Sequence, residues 1–220
     1  MSEIANTFLL VFAGLFPIVN PLGAAPIFLS LTRRCDLRQR NALALRVAVN
    51  GFCLLLGSLL IGSYVLEFFG ISVPVLRVGG GLVVTALGWR LLNEGDNSLD
   101  RRNAGATDAG PDLPDAFYPL TMPLTVGPGS IAVAITIGSQ RPKVPFELAH
   151  AALLAGAAVA GLAAIAVSIY LSFRFGPRLT AILGPSGTNV LVRLSAFILL
   201  CIGISILWSG YVALANLSGG

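Results

Sequence analysis

The stretch VNPLGAAPIFLSLT, residues 19–32, lies inside a run without a single charge that extends from residue 4 to residue 32. Such a run is long enough to cross a bilayer, which takes about 20 apolar residues as a helix. Its middle nonetheless holds Asn20, Pro21, Gly23 and Pro26. Proline and glycine are the residues least suited to a helix interior. A membrane segment that carries its own interruption is the feature from which the rest of the reading follows.

The composition places that segment in an integral membrane protein. Of 220 residues, 55% are hydrophobic and 11% charged, with a mean hydropathy of +0.85; soluble domains run at about 25% charged. Uncharged runs also cover 47–66, 116–140 and 194–220, the run 148–173 holds only His150, and 73–92 is apolar apart from Arg77 and Arg90. These runs predict an all-α membrane protein with six transmembrane helices and little chain left for a soluble domain. The apolar N-terminal stretch lacks the positive n-region of a cleaved signal and reads as retained.

Several function classes fall away. Aromatic residues are not interleaved with the arginines of the basic loop, so the net charge of +4 does not read as a nucleic-acid surface. Cys35, Cys53 and Cys201 form no framework and read as buried apolar thiols. One histidine and no C-x-x-C leave no metal set and no cofactor. A membrane enzyme would need a nucleophile–base pair at lipid depth, and none is apparent, so no enzymatic activity is expected.

The arginines also give an orientation. Arg33, Arg34, Arg38 and Arg40 follow the first span, Arg90, Arg101 and Arg102 the third, and Arg174 and Arg178 the fifth, against Arg141 and Lys143 on the other side. Nine against two places both termini outside the cytoplasm. The loop 93–115, rich in Asp, Asn, Gly and Pro, reads as a flexible cytoplasmic linker between a first three-span unit (1–92) and a second (116–220).

The two units echo each other. FYPLTMPLTVGPGSIAVAITI, residues 117–137, is again a long uncharged run broken in its middle, and sliding the halves together sets Pro21 on Pro128 and Gly23 on Ser130. Arg77 in VLRVGGGLVV falls on Arg193 in LVRLSAFILL. Three spans is an odd number, so the repeats would be inverted, with spans one and four broken near the midplane. Paired broken helices are the strongest sequence pointer to a secondary transporter's site. An unwound stretch inside a bilayer survives only against protein or a watery cavity. There its free N–H groups suit a carboxylate and its free carbonyls an ammonium or a cation. The candidate substrate-binding residues are therefore Asn20, Pro21, Gly23, Thr125, Gly127, Pro128, Gly129 and Ser130. Ser30 and Thr121 are the other polar residues near the breaks. All of these are neutral, which favours a small, net-neutral zwitterion. With no carboxylate at mid-depth, the coupling ion, sodium or proton, stays open.

Elsewhere Ala152, Gly156, Ala160, Ala164 and Ser168 recur every fourth residue and predict a close packing face on span five. Gly79, Gly80, Gly81 and Gly88 predict another on span three. Glu67 and Arg77 lie at span ends and read as structural, as does His150. Asn50 reads equally as a site-facing group or an interhelical hydrogen bond. Whether the small-residue contacts lie within the chain or build a homo-oligomer stays open.

Asn20-Pro21-Leu22-Gly23-x-x-Pro26-Ile27-Phe28-Leu29-x-Leu31-Thr32, followed by Pro119-Leu120-x-x-Pro123-Leu124-x-x-Gly127-Pro128-Gly129-Ser130-Ile131, resembles the MarC family of bacterial inner-membrane proteins, and the likeness runs over essentially the whole chain. In that family the first motif often begins with Asp, where this chain has Asn20. The resemblance implies a multi-pass inner-membrane protein related to small neutral amino-acid transporters. The leading expectation is a carrier or exporter of small neutral amino acids, whose partners are the lipid bilayer and a small-molecule substrate. The alternative is a non-transporting scaffold or envelope stress protein.

Overall fold

The computed structural model describes residues 3–93, 115–139 and 148–218. The 94–114 part of the linker, the Arg141 and Lys143 pair and the side chain of His150 lie outside the described residues. Helices α1 (Glu3–Val19), α2 (Pro21–Leu31), α3 (Leu37–Phe68), α4 (Val73–Asn93) and α5 (Pro128–Gly138) precede a helical run Leu148–Ser218. Gly184, with φ 64° and ψ −179°, interrupts that run and Pro185 follows it, so it divides into α6 (Ala152–Gly184) and α7 (Ser186–Asn216).

Local chemistry sets the ends. Asp36 and Gln39 form a reciprocal capping box at the start of α3: Asp36 Oδ1 accepts from the Gln39 N–H at 2.6 Å, and Gln39 Oε1 accepts from the Asp36 N–H at 3.0 Å. At the other end Gly70 takes φ 66°, and the Ile71 N–H reaches back to the Leu66 carbonyl at 2.9 Å. This left-handed stop is one that glycine adopts without a Cβ penalty.

Four helices, α3, α4, α6 and α7, are long and apolar enough to cross a membrane, and α1 with α2, bent by 40° at Asn20, makes a fifth candidate. The run 116–140, expected as one more broken helix, is instead a series of turns over residues 115–126 leading into the 11-residue α5. The turn between α6 and α7 also departs from expectation. Arg174 and Arg178, expected in a loop after the fifth span, lie instead within α6, and the chain stays helical on to α7 except at the Gly184 break.

Glycine contacts fix how the helices run. A methyl on Gly161 of α6 would come 3.0 Å from Val11 and 3.1 Å from the Phe8 carbonyl, and one on Gly176 would meet Leu29 at 3.3 Å. The α1–α2 pair therefore lies parallel to α6 along most of its length. Phe28 and Phe173, both fully buried, stack between them with centroids 4.2 Å apart. Removing either ring would cost about 3–5 kcal/mol.

Helices α4 and α7 are antiparallel and approach backbone to backbone. Added methyls on Gly81 and Gly88 would lie 2.5 and 2.6 Å from the amides of Leu207 and Leu200, and methyls on Gly203 and Gly210 would meet Thr85 and Val78 in return. Gly81 and Gly88, seven residues apart, match Gly203 and Gly210 at the same spacing, so both helices keep their glycines on one face. Of the span-three glycines, Gly80, Gly81 and Gly88 are packed, while Gly79 faces open space. Helix α5 is wedged between α3 and α4, which otherwise barely touch. Its Ala132 lies against Gly80, and its Ile135 against Gly62.

Within the chain, the small-residue face expected on span five is not the buried one, with Ala164 and Ser168 only half-buried. Ala152, Gly156 and Ala160 are exposed, and a methyl on Gly156 would meet nothing. The buried side is Ala157, Ala158, Leu162, Ile165, Ile169 and Phe173. In a chain this apolar, small residues fit lipid as readily as a helix contact, and bulk decides which face fills the core. The thiols differ too. Cys53 and Cys201 are exposed on the outer faces of their helices and only Cys35 is buried. Burial pushes the Cys35 thiol up, with the Arg40 guanidinium acting against the rise and Asp36 adding to it.

Candidate functional site: two chain breaks

Both breaks share a register. Asn20 is the N-cap of α2 with Pro21 behind it, and Gly127 is the N-cap of α5 with Pro128 behind it. Proline suits the first helical position because its missing N–H is one that no helix bond would use. Gly23 and Ser130 then occupy equivalent places three residues on, as the alignment of the two halves predicted.

Each break presents different backbone groups. At the first, Asn20 takes φ 47° and ψ 60°, and its Oδ1 accepts from the Gly23 N–H at 3.1 Å. Asparagine is one of the few residues that adopts this left-handed conformation at low cost. A side chain on Gly23 would overlap the Asn20 carboxamide, so the glycine is what admits the cap. The start of α2 is thereby largely closed. The end of α1 is not. Pro21 brings no N–H for the Pro17 carbonyl, and the Gly23 N–H has turned to Asn20 instead of the Val19 carbonyl.

At the second break the polarity is reversed. Gly127 has no side chain to cap α5, and Pro128 has no N–H, so the Gly129 and Ser130 amides meet no capping side chain among the described residues. Both residues are buried. The carbonyls before them are largely engaged. The Thr121 carbonyl accepts from the Thr125 and Val126 N–H groups at 3.1 and 2.8 Å, and the Gly127 carbonyl accepts from Ile131 at 3.1 Å. Thr121, Thr125 and Ser130, all buried, donate their hydroxyls to the Ala116, Leu120 and Gly127 carbonyls at 2.6, 2.8 and 2.9 Å. Ser30 likewise donates to the Ile27 carbonyl.

The fold brings the breaks to one level. Gly14 of α1 lies against Ile137 of α5, and one turn further Ile18 shares a buried cluster with Val84 and Leu199, against which Val133 packs. At this antiparallel register the end of α1 comes level with the first turns of α5. Val84 lies at the same level, in one buried cluster with Ile18, and a methyl on Gly129 would overlap its Cγ2. On the other side Val126 fills the space above Gly51, at 3.2 Å from where a Cβ would be. Every residue expected at the site lies at one of these two breaks. Thr125 contributes a buried hydroxyl rather than an open one, and Pro128 is itself exposed. Sequence reasoning missed Val84, Ile18 and Gly51, whose apolar side chains or lack of one carry no chemical signature.

Among the buried residues the polar ones are Thr32, Thr121, Thr125 and Ser130, none of them charged. The described residues hold no group of His, Cys, Asp and Glu able to bind a metal ion.

Apolar helices of spanning length, with a bent helix pair packed against a short apolar helix, define a multi-pass membrane protein. The chain belongs to the MarC family: the family model for MarC family integral membrane proteins matches residues 5–214. Relatives include the UPF0056 inner membrane protein MarC of Escherichia coli (strain K12) and that of Shigella flexneri. Each is 30% identical over 200 residues, covering 89% of this chain and 90% of the relative. No solved structure matches the chain.

Proposed function

We propose that this protein is a secondary carrier of small neutral amino acids in the inner membrane, with its site between the breaks at Asn20 and Gly127. The observation that carries the reading is their opposite polarity. The open carbonyls ending α1 suit an ammonium group, and the uncapped amides starting α5 suit a carboxylate. The two ends come to one level beside Val84, with no charged side chain among the buried described residues. Such a place favours a solute with both charges and no net charge. The side chain of that solute would have little room beside Val84, Ile18 and Gly129, hence glycine, alanine or serine rather than a bulky residue.

The same reading gives six crossings as inverted three-span units, supported by helix directions. The α1–α2 pair runs parallel to α6, and α4 antiparallel to α7. If α6 and α7 cross in succession, α4 and α6 run the same way. The chain leaving α4 must then return across the membrane before α6, and only 115–138 among the described residues can do so. Helix α5, antiparallel to α4, points in that direction. The ends carrying Arg33, Arg34, Arg38, Arg90, Arg174, Arg178 and Arg193 then share the cytoplasmic side, and the termini are periplasmic.

The test is uptake of labelled glycine, alanine and serine into liposomes holding the purified protein, with and without sodium and proton gradients. Saturable uptake, competed by zwitterions and not by simple amines or carboxylic acids, is expected. Uptake equal to that of empty liposomes for the whole panel would sink the carrier reading in favour of a non-transporting envelope role.

A further inference from the structure

The buried side chains fall into two clusters of very different size. The large one draws on α1, α2, α3, the 116–126 turns, α5 and α6. Among the described residues, no hydrophobic side chain of α4 or α7 belongs to it or packs against it. The small cluster joins Ile18 of α1 to Val84 of α4 and Leu199 of α7, with Val133 of α5 packed alongside.

Between themselves, α4 and α7 are held firmly. Gly81 and Gly88 meet the α7 main chain, and Gly203 and Gly210 meet that of α4 in return. Glycine contacts of this kind bring two backbones together over their whole shared length, so the pair moves as one body. Its seam with the rest of the chain is short. On α4 the buried residues that face away from α7 are Gly80 and Val84, against Ala132 and Gly129 of α5. On α7 the corresponding side chain is Leu199. All three lie near the middle of their helices. Toward either end of the pair, the buried residues are glycines that face the partner helix and Ala196, whose carbonyl lies beside Gly88.

The connections to this pair are equally telling. Gly70 joins α3 to α4 and Gly184 joins α6 to α7, with φ of 66° and 64°, and a Cβ on either would meet nothing. Because α4 and α7 are antiparallel, these two joints lie at opposite ends of the pair. A few loop residues that absorb backbone rotation between packed bodies are the usual structure of a hinge. The seam also holds an unsatisfied polar atom. Thr136, one turn beyond Ala132 on the same face of α5, keeps a buried Oγ1 with no hydrogen-bond partner among the described residues. Buried hydroxyls are normally paired, and an opened seam would give this one water.

We propose that α4 and α7 form a rigid arm that tilts about the Ile18–Val84–Leu199 contact, swinging on Gly70 and Gly184. Its seam with α5 then opens toward one end of the bundle as it closes toward the other. The use of this movement rests on the carrier reading: tilting exposes the place between the two breaks to each side of the membrane in turn. The movement itself can be measured without transport.

The test is double electron–electron resonance on the full chain in liposomes, with C35A/C53A/C201A as background and spin labels at exposed positions. N6C/N216C and R34C/N93C each join the arm to the rest, whereas S72C/N216C lies within the arm and N6C/E67C within the rest. Two distances are expected for each of the first two pairs and one for each of the last two. A lock sharpens the result. The Cβ of a residue at 129 would lie 3.5 Å from that of Val84, and one at 176 would lie 3.7 Å from that of Ala25, both suited to a disulfide. Oxidised V84C/G129C, closed before labelling, should lose the second distance. Oxidised A25C/G176C, which ties α2 to α6, should keep it, as should V84A/G129A, which cannot form the bond. One distance for the arm-to-rest pairs, as narrow as the internal ones, would overturn the proposal. So would failure of V84C/G129C to close, a second distance that survives the closed lock, or two distances within the arm. Two distances removed by the lock, in a protein that takes up no amino acid, would uphold the arm and sink the carrier reading alone.

Discussion

The break at Asn20 and the break at Gly127 use the same vocabulary, an N-cap followed by proline and a small residue, yet they end up in opposite states. At Asn20 the new helix is closed by its own carboxamide and the old helix is left open, so the break offers carbonyls. At Gly127 the segment before α5 is a set of wide turns whose hydroxyls and amides are mostly satisfied, and the new helix is left open, so the break offers N–H groups. One atom set decides this: the cap residue has a carboxamide in the first case and a hydrogen in the second. The difference teaches that a repeated interruption need not be a repeated function. Two matching breaks of complementary polarity can hold a dipolar ligand that neither would hold alone.

The largest effect should come from crowding the open break. Gly129→Leu would push into Val84, costing about 1–3 kcal/mol by overpacking and abolishing uptake. Val84→Ala in the same chain should recover part of the thermal stability measured in detergent. If the leucine variant melted like the parent, the close approach of α5 and α4 would be wrong.

The closed break responds to loss of its cap. Asn20→Ala removes a capping acceptor and puts alanine in a left-handed conformation, for about 1–2 kcal/mol together, whereas Asn20→Asp keeps the acceptor. A melting point lowered equally by both would show that Asn20 acts by something other than capping.

A smaller effect tests the Asn20–Gly23 contact itself. Alanine is better than glycine inside a helix by about 1 kcal/mol, but at position 23 it displaces the carboxamide. Gly23→Ala should therefore be nearly neutral or destabilising in the parent and stabilising in the Asn20→Ala background. A double-mutant cycle with no coupling would separate the two residues.

The positions of the breaks were legible in the sequence because proline and glycine declare themselves in an apolar run, and so was the equivalence of Pro21 with Pro128. The glycines of α4 that meet α7 were legible for the same reason. Other features were not. Hydropathy is blind to the difference between a spanning helix and the turns at 115–126, since both are apolar, so the run 116–140 reads as one broken helix. Nothing in Ala152, Gly156 and Ala160 says whether lipid or protein covers them. The closed state of the first break depends on one backbone conformation, that of Asn20, which the sequence permits without requiring.

The smallest change in stability bears most directly on the central claim. Gly127→Asn gives α5 the kind of cap that α2 already has. The site tolerates a Cβ, whose nearest neighbour would be the Pro123 carbonyl at 3.5 Å. Replacing glycine with asparagine at an N-cap stabilises by a few tenths of a kcal/mol. Uptake of labelled alanine by this variant, measured beside its melting point, is the decisive experiment. Sharply reduced uptake with an unchanged or slightly higher melting point is the predicted result, because the amides that would meet the carboxylate are then taken. Uptake equal to the parent's from an equally stable protein would contradict the account and place the solute elsewhere.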